Sequence, residues 1–452
     1  MNIVIAGCGK VGRTIIASLT AEGHSITAID TNPKPLEAIT DMFDIITVEG
    51  NAADSDALEE ASVEKADLFV AMTDSDEINM LSCFVAKKMG ASNIVARIRN
   101  PEYNDRSLGL LRQFLELEMA INPELLAARE LYNMLKLPTA VNVESFSRRN
   151  LEIAEIRLKA DSLLCGMRLM DMRKKYPGQY LVGIVKRDDK VFVPDGTFTL
   201  AANDKIGITA SPTELMKLLK SLNVTQKQAK SVIIVGAGRT TYYLAKLLLG
   251  GNTRVTIVER DLQRCREMSE SLSGATIIHG DGADLDLLLE AGLEHTDAFV
   301  SLTGMDEENI LLAYSAASKN VPKVISKVNR DEFELIAEKM GLDTIISPRK
   351  LVADIFVGYA RALKNSLGSK IETLYKLMGG AAEALEFEAQ NDTKYTHVAL
   401  KDLKLKPNTL VAGIIRGRKT IIPMGDDCIL PGDKVVILTA GKKMTDLADI
   451  VR

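Results

Sequence analysis

The sequence predicts an α/β chain made of two doubly wound parallel sheets, each followed by a small α+β module. Three observations carry this. First, the chain is written twice: it runs NIVIAGCGKVG from Asn2 and, 229 residues later, SVIIVGAGRTT from Ser231. Asp30 maps to Glu259 at that offset, and Gly50, Asp54, Thr73, Asp76, Glu77 and Asn79 map to Gly280, Asp284, Thr303, Asp306, Glu307 and Asn309 at 230. Second, short apolar runs alternate with stretches of helical periodicity. Third, the composition after each such region shifts to short strands with turn signals, again in duplicate.

In the first half, apolar runs at 3–6, 26–29, 45–48, 68–72 and 94–98 predict strands, and 12–22, 34–42, 55–61 and 76–89 predict helices. Alternation of this kind gives a parallel sheet with helices on both faces. The second half repeats it with strands at 232–235, 255–258, 276–279, 298–302 and 324–328. Each half adds a short sixth strand ending in proline, Ile121-Asn122-Pro123 and Ile346-Ser347-Pro348. The helices after those prolines carry apolar stripes: Leu125, Ala128, Tyr132 and Leu135 in one, Val352, Ile355, Phe356, Tyr359 and Leu363 in the other. Such a stripe needs a surface, either the flank of its own lobe or a neighbouring subunit. Beyond them, LVGIVKRDDKVFVPDGTFTLAANDKIGITA from Leu181 aligns with LVAGIIRGRKTIIPMGDDCILPGDKVVILTA from Leu410, pairing Pro194 with Pro423, Gly196 with Gly425 and Asp204 with Asp433. Helices at 212–221 and 442–450 close these modules. The expected domains are 1–137, 138–225, 226–368 and 369–452.

Gly7, Gly9 and Gly12 form G-x-G-x-x-G between a predicted strand and a predicted helix, the context that gives this pattern meaning. The first glycine permits a tight turn, the second lets the backbone approach a pyrophosphate, and the third lets helix and strand pack closely. Helix-end N–H groups then face the phosphates. The second strand ends on Asp30, where a carboxylate accepts hydrogen bonds from ribose hydroxyls and repels a 2′-phosphate. The expected ligand is therefore NAD(H), or another adenosine nucleotide with free ribose hydroxyls, and not NADP. The unit is Rossmann-like.

Composition narrows the function. Hydrophobic residues make up 46% and charged residues 26%, ordinary values for a globular protein. Aromatics are 5% with no tryptophan, which speaks against a stacking platform for single-stranded nucleic acid or carbohydrate. The net charge is −5 and basic residues never form a block, so no nucleic-acid partner is expected. Cys8, Cys83, Cys165, Cys265 and Cys428 are scattered and odd in number, which implies neither a disulfide framework nor a metal site. MNIVIAGCGKVG does not read as a signal peptide, and no apolar run approaches the ~20 residues of a membrane span.

The two halves, with GCGKVG, Asp30, Gly50-Asn51-Ala52, the stretch from Thr73 to Asn79 and Arg97, resemble the RCK (regulator of potassium conductance) unit. The tandem resembles the TrkA-type subunits of bacterial Trk potassium uptake systems. The resemblance implies a non-enzymatic regulator that binds NAD(H), or ATP and ADP. It also implies a homotetrameric ring of eight RCK units, docked at the inner face of the cell membrane beneath a TrkH/TrkG-like potassium-translocating subunit. Carried onto this chain, Gly7, Cys8, Gly9, Lys10, Val11 and Gly12 form the phosphate loop, with Lys10 against terminal phosphates and Asp30 on the ribose. Asn51 and Ala52 lie near the adenine, Thr73 and Asp74 line the cleft, and Arg97 faces a phosphate. Two of these have plainer alternatives, a solvated helix-start lysine for Lys10 and an ion pair across the sheet for Arg97. Asp76 and Glu77 read as complements to a helix dipole.

In the second copy Gly236, Gly238 and Glu259 remain, with Asp281, Gly282 and Thr303 as further candidates, but Arg239, Thr241 and Lys327 stand where the first has Lys10, Gly12 and Arg97. A Cβ at Thr241 is expected to loosen helix–strand packing and weaken binding or change its specificity. The rival class is an NAD-dependent oxidoreductase, and within the regulators the alternative partner is a cation/proton antiporter. His24, His279, His295 and His397 belong to no acid–base constellation. Tyr132-x-x-x-Lys136 and Tyr242-x-x-x-Lys246 match a reductase spacing but lack its context, so no catalytic residue is assigned.

Overall fold

A computed structural model describes the chain except residues 101–102, 104, 137–139, 148–149, 224–227, 365–370, 392, 442 and 452. Each lobe is a six-stranded parallel sheet in which the first strand lies between the second and the fourth, giving the order 3-2-1-4-5-6. In the first lobe the strands are Asn2–Ala6, Ser25–Asp30, Ile46–Glu49, Leu68–Ala71, Ile94–Arg97 and Met119–Ile121. The central strands are buried on both faces, which is why they read as unbroken apolar runs rather than as an alternation. The second lobe repeats the order from Ser231–Val235 to Ile345–Ile346. Among the described residues no helix is long and apolar enough to cross a membrane.

The small modules hold more strands than the two aligned segments. Each is a five-stranded antiparallel sheet, because Asn142–Phe146 and Leu151–Arg157 precede the aligned segment in one, and Ile371–Leu377 and Ala382–Glu388 precede it in the other. A duplicated ion pair ties each sheet to its own turn: Arg187 Nε donates to Asp204 at 2.7 Å and Arg416 Nε to Asp433 at 2.8 Å. Helix Pro212–Ser221 forms as expected, with Ser211 capping Glu214 N–H and proline at its start. The counterpart at 442–450 does not. Lys442 lies outside the described residues, and only a 3-10 turn, Leu447–Ile450, follows. There Asp446 and Asp449 form a reciprocal capping box at the start of the turn.

The destination of the two post-proline helices is the main departure from expectation. Each packs on the other lobe of the same chain. Helix Pro123–Lys136 buries Ala127, Ala128, Leu131, Met134 and Leu135 against Leu244, Ala245 and Leu248 of helix Arg239–Gly250. Helix Pro348–Lys364 buries Val352, Ala353, Phe356, Val357 and Ala360 against Ile15, Ile16 and Leu19 of helix Lys10–Ala21. The stripes are thus covered within the chain, neither by their own lobe nor by another subunit. Beyond the crossover, Arg361, 2% exposed, donates to Glu22 of the first lobe and Glu383 of the second small sheet at 2.8–2.9 Å. The two small sheets also stack: Phe146, Leu151 and Ile184 share one core with Leu377, Ala412 and Leu438. Close approach there depends on glycine, since a Cβ at Gly183 would lie 2.5 Å from Leu438 and one at Gly413 2.4 Å from Leu151.

Candidate nucleotide-binding site

Each lobe opens a cleft where its strand order reverses, the place at which open α/β sheets take ligands. Parallel strands end there together. In the first lobe this brings Gly7 to Gly12, Asp30, Asn51, Ala52, Thr73, Asp74 and Arg97 to one edge. In the second it brings Gly236, Gly238, Arg239, Glu259, Asp281, Gly282, Thr303 and Lys327 to the equivalent edge.

The three glycines have distinct surroundings. Gly7 has φ +96°, and a Cβ on it would lie 2.6 Å from the backbone of Met72 and Thr73. A Cβ at Gly12 would stand 1.9 Å from the Gly7 carbonyl oxygen. At Gly9 the same position meets nothing within 4 Å, and Gly238 is equally open. These two residues begin helices Lys10–Ala21 and Arg239–Gly250, and neither end has a side-chain cap or an acid in its first turn. The next three helices of the first lobe are capped by Asn32, Asp54 and Ser75. The fingerprint helices therefore present free N–H groups and a positive dipole end to open space.

Asp30 is committed to the loop as well as available to a ribose. Its Oδ2 accepts from Cys8 N–H at 2.6 Å and its Oδ1 from Asn32 N–H at 2.9 Å. Glu259 reproduces this from one methylene further out, accepting from Ala237 at 2.7 Å and Asp261 at 2.9 Å. A carboxylate offers about four lone-pair directions, so each acid retains capacity for a hydroxyl. Cys8 is buried, and burial, reinforced by Asp30, pushes its thiol up to about 12, which makes it inert. Val11 is half-buried beside it. Asn51 and Asp281 are exposed and fold onto Ala53 and Ala283 N–H at 3.0 and 2.9 Å. Ala52 becomes Gly282 for a packing reason: a Cβ at Gly282 would lie 2.3 Å from Val235, which stands where the first lobe has Ala6.

Arg97 is 9% exposed and donates to the Thr73 carbonyl, while its Nε is sealed from solvent with no hydrogen-bond partner. Among the described residues it makes no ion pair across the sheet. Burial, then the nearby Arg99, pulls it down to about 10. Lys327 donates to the Leu302 carbonyl at 3.2 Å and is lowered by burial, with Arg349 and Lys10 adding repulsion. Lys10 belongs to the other lobe, so the cationic groups of the two clefts lie within electrostatic reach of each other. Lys10 and Arg239 are exposed and have no ion-pair partner among the described residues.

Sequence reasoning passed over the residues that shape these edges. Asn79 Oδ1 accepts from the Thr73 N–H at 2.8 Å, and its Nδ2 donates to the Arg97 carbonyl at 3.0 Å. Asn309 does the same for Thr303 and Lys327 at 2.8 and 3.0 Å. Asp76 accepts from Arg99 and Asn100 N–H at 2.8 Å, and Asp306 from Asn329 and Arg330 at 3.1 and 3.0 Å. Their role is to fasten the loop after the fifth strand, beyond complementing a dipole. Their recurrence at the 230 offset was the available signal. Thr241 corrects a further expectation: it is fully buried and its Oγ1 donates to the Gly236 carbonyl at 2.5 Å, so the hydroxyl bonds the oxygen that a bare Cβ would crowd. Tyr132 and Tyr242, candidates by spacing alone, pack in the core between the crossover and fingerprint helices.

Comparison with known proteins places this architecture. The TrkA-N domain family matches residues 3–123 and 232–348, and the TrkA-C domain family matches 153–223 and 384–452. The Trk system potassium uptake protein TrkA homolog of Archaeoglobus fulgidus is 32% identical over 100% of both chains. The Trk system potassium uptake protein TrkA of Vibrio alginolyticus is 31% identical over 98% of this chain and 96% of its own. Among solved structures, the GsuK RCK domain aligns with TM-score 0.64 at 15% identity, covering 97% of this chain and 92% of that one. The GsuK channel bound to NAD aligns with TM-score 0.64 at 16% identity, over 97% and 77%. At that identity the likeness is one of fold. The duplicated order of TrkA-N and TrkA-C matches, with full-length similarity to curated TrkA proteins, shows that this chain belongs to the TrkA family.

Proposed function

We propose that this chain is a nucleotide-binding regulatory subunit of a Trk-type potassium uptake system, taking NAD(H) and, at the same clefts, ATP or ADP. The observation that carries the reading is the paired cleft: an uncapped helix end and an open glycine share one edge with a buried cation, Arg97 or Lys327, that has no ion-pair partner among the described residues. An anion between them satisfies both. Asp30 and Glu259 supply the ribose acceptor and disfavour a 2′-phosphate. The names of the relatives, Trk system potassium uptake proteins, support a role in potassium uptake.

The regulator acts as a two-state assembly. A nucleotide shifts such an equilibrium only through different affinities for the two states. Reversing a strongly biased one takes on the order of 5 kcal/mol, which several clefts can share. Assembly as a ring of four chains has support in a repeated apolar surface. Leu81 and Phe84 are exposed on the outer helix of the first lobe, and Leu311 and Tyr314 occupy the matching positions of the second. Patches of this kind mark protein–protein contacts.

Titration calorimetry with NADH, NAD, ATP, ADP and NADP tests the ligand. Binding of the first four with rejection of NADP supports the reading, and no binding of any overturns it. Co-purification from membranes identifies the partner as a potassium-translocating or an antiporter subunit.

A further inference from the structure

A cavity of about 970 Å³ lies where the two crossover helices meet the small sheets. Among the carboxyl groups that line it are four that come from both halves of the chain: Glu130 on the first crossover helix, Glu144 and Glu155 on the first small sheet, and Asp354 on the second crossover helix. Two are neutralised. Lys205 lies 3.0 Å from Glu155, which also accepts from Met378 N–H at 2.8 Å, and Lys376 lies 2.7 Å from Asp354. The remaining lysine of the wall, Lys350, is held by Asp331 and Glu334. Glu130 and Glu144 have no cation partner among the described residues. Glu144, 6% exposed, accepts one hydrogen bond, from Asn142 Nδ2 at 2.9 Å. Glu130 is half-buried, and its Oε1 is sealed from solvent and accepts none.

Two unpaired carboxylates cannot both stay ionised in such a place at small cost, because a buried charge without a partner is penalised by several kcal/mol. The second small sheet does not supply the missing cation. It contributes Tyr375, which donates to the Ser145 carbonyl at 3.1 Å, and Glu386, which is engaged by the hydroxyls of Ser147 and Thr373. Arg13 and Arg129 also line the cavity but form no ion pair with either carboxyl, so protonation is the remaining route to neutrality among the described residues. Burial raises Glu130 to about 7, and burial together with the negative charges of Glu130, Glu155 and Asp354 raises Glu144 well above the ordinary carboxylate range.

We propose that Glu130 and Glu144 form a proton-binding joint: with a proton bound, the first crossover helix stays packed on the first small sheet, and loss of the proton drives the two apart. The direction in pH follows from where the proton is held. Carboxyls raised in the folded state stabilise it fully below their unfolded value, and that contribution is lost as pH rises through about 7. The packed joint is therefore favoured on the acid side of neutrality and loosened on the alkaline side. Because the joint ties a helix seated on the second lobe to a sheet of the first half, its state reaches both clefts.

The test uses the full chain and the variants Glu130→Gln, Glu144→Gln and, as an exposed control, Glu290→Gln. Hydrogen exchange, corrected for intrinsic rates, is read in Pro123–Lys136 and Asn142–Phe146 at pH about 6 and about 8.5. The expected result is a roughly tenfold loss of protection at the higher pH in the wild type and the control, and a clearly smaller loss in the other two variants, each of which keeps only one of the two carboxyls. Equal pH responses in all four proteins overturn the proposal, as does a wild type whose protection there does not change. Should the glutamine variants not fold, infrared spectroscopy of the wild type decides. A protonated-carboxyl band present at the lower pH and lost at the higher supports the joint, and its absence at the lower overturns it.

Discussion

At the scale of single residues, the clefts are shaped by contacts of two kinds. Those close in sequence were legible: Gly7, Gly9 and Gly12 follow a strand at fixed spacing, and their geometry is that of the turn they make. Those that span strands were not. Asn79 and Asp76 meet partners 18 to 24 residues away across the sheet, and no local pattern announces which helical polar residue turns inward. Asp30 does both jobs. Asp30→Asn retains its shape and one acceptor oxygen but removes the charge, so nucleotide affinity is expected to fall by about 1.5–3 kcal/mol in calorimetry. Unchanged affinity removes the ribose assignment. The two fingerprints answer differently to exchange. Gly12→Thr puts a Cβ 1.9 Å from a carbonyl oxygen, so the loop must shift and binding at the first cleft weakens. Thr241→Gly loses a buried hydrogen bond and adds a helix glycine, about 2 kcal/mol of destabilisation by thermal melting. A melting temperature unaffected by Thr241→Gly shows that its hydroxyl contributes nothing.

Among elements, existence and type were readable and destination was not. The 3.6-residue periodicity of Pro348–Lys364 says that one face must be covered, while nothing in it distinguishes the parent lobe, a second chain or the other half of the same chain. The structure settles this through shape, with Phe356 fully buried on the first lobe. Phe356→Ala is expected to cost about 3–5 kcal/mol in denaturant unfolding and to loosen the first lobe from the second small sheet. A cost below about 1 kcal/mol contradicts the crossover packing. The ion pair at the end of the helix adds an acid sensitivity. Burial alone would raise Glu22, but Arg361 and then Lys443 outweigh it and hold the carboxyl at about 2. A depressed carboxyl stabilises the fold above its unfolded value and loses that contribution as pH falls from about 4.5 to about 2. Glu22→Gln is expected to flatten the stability curve across that acid window. An unaltered acid limb assigns the sensitivity elsewhere.

The whole molecule is two halves locked by exchanged helices and stacked small sheets, so each cleft is mechanically tied to the other half of its own chain. With the stripes after Pro123 and Pro348 already covered, the proposed assembly would use the outer helices. Replacing Leu81 and Leu311 by aspartate is expected to convert a multimer to single chains in light scattering without lowering the melting temperature. A monomeric wild type contradicts the ring. In the proposed function, nucleotide occupancy of the clefts controls potassium movement through a membrane partner. Potassium flux into proteoliposomes holding the co-purified partner, with wild-type chain or Asp30→Asn, measures it. The expected result is a flux altered severalfold by NADH, ATP or ADP with the wild type and unresponsive with the variant. A flux that is the same with and without nucleotide, while calorimetry shows the clefts filled, contradicts it.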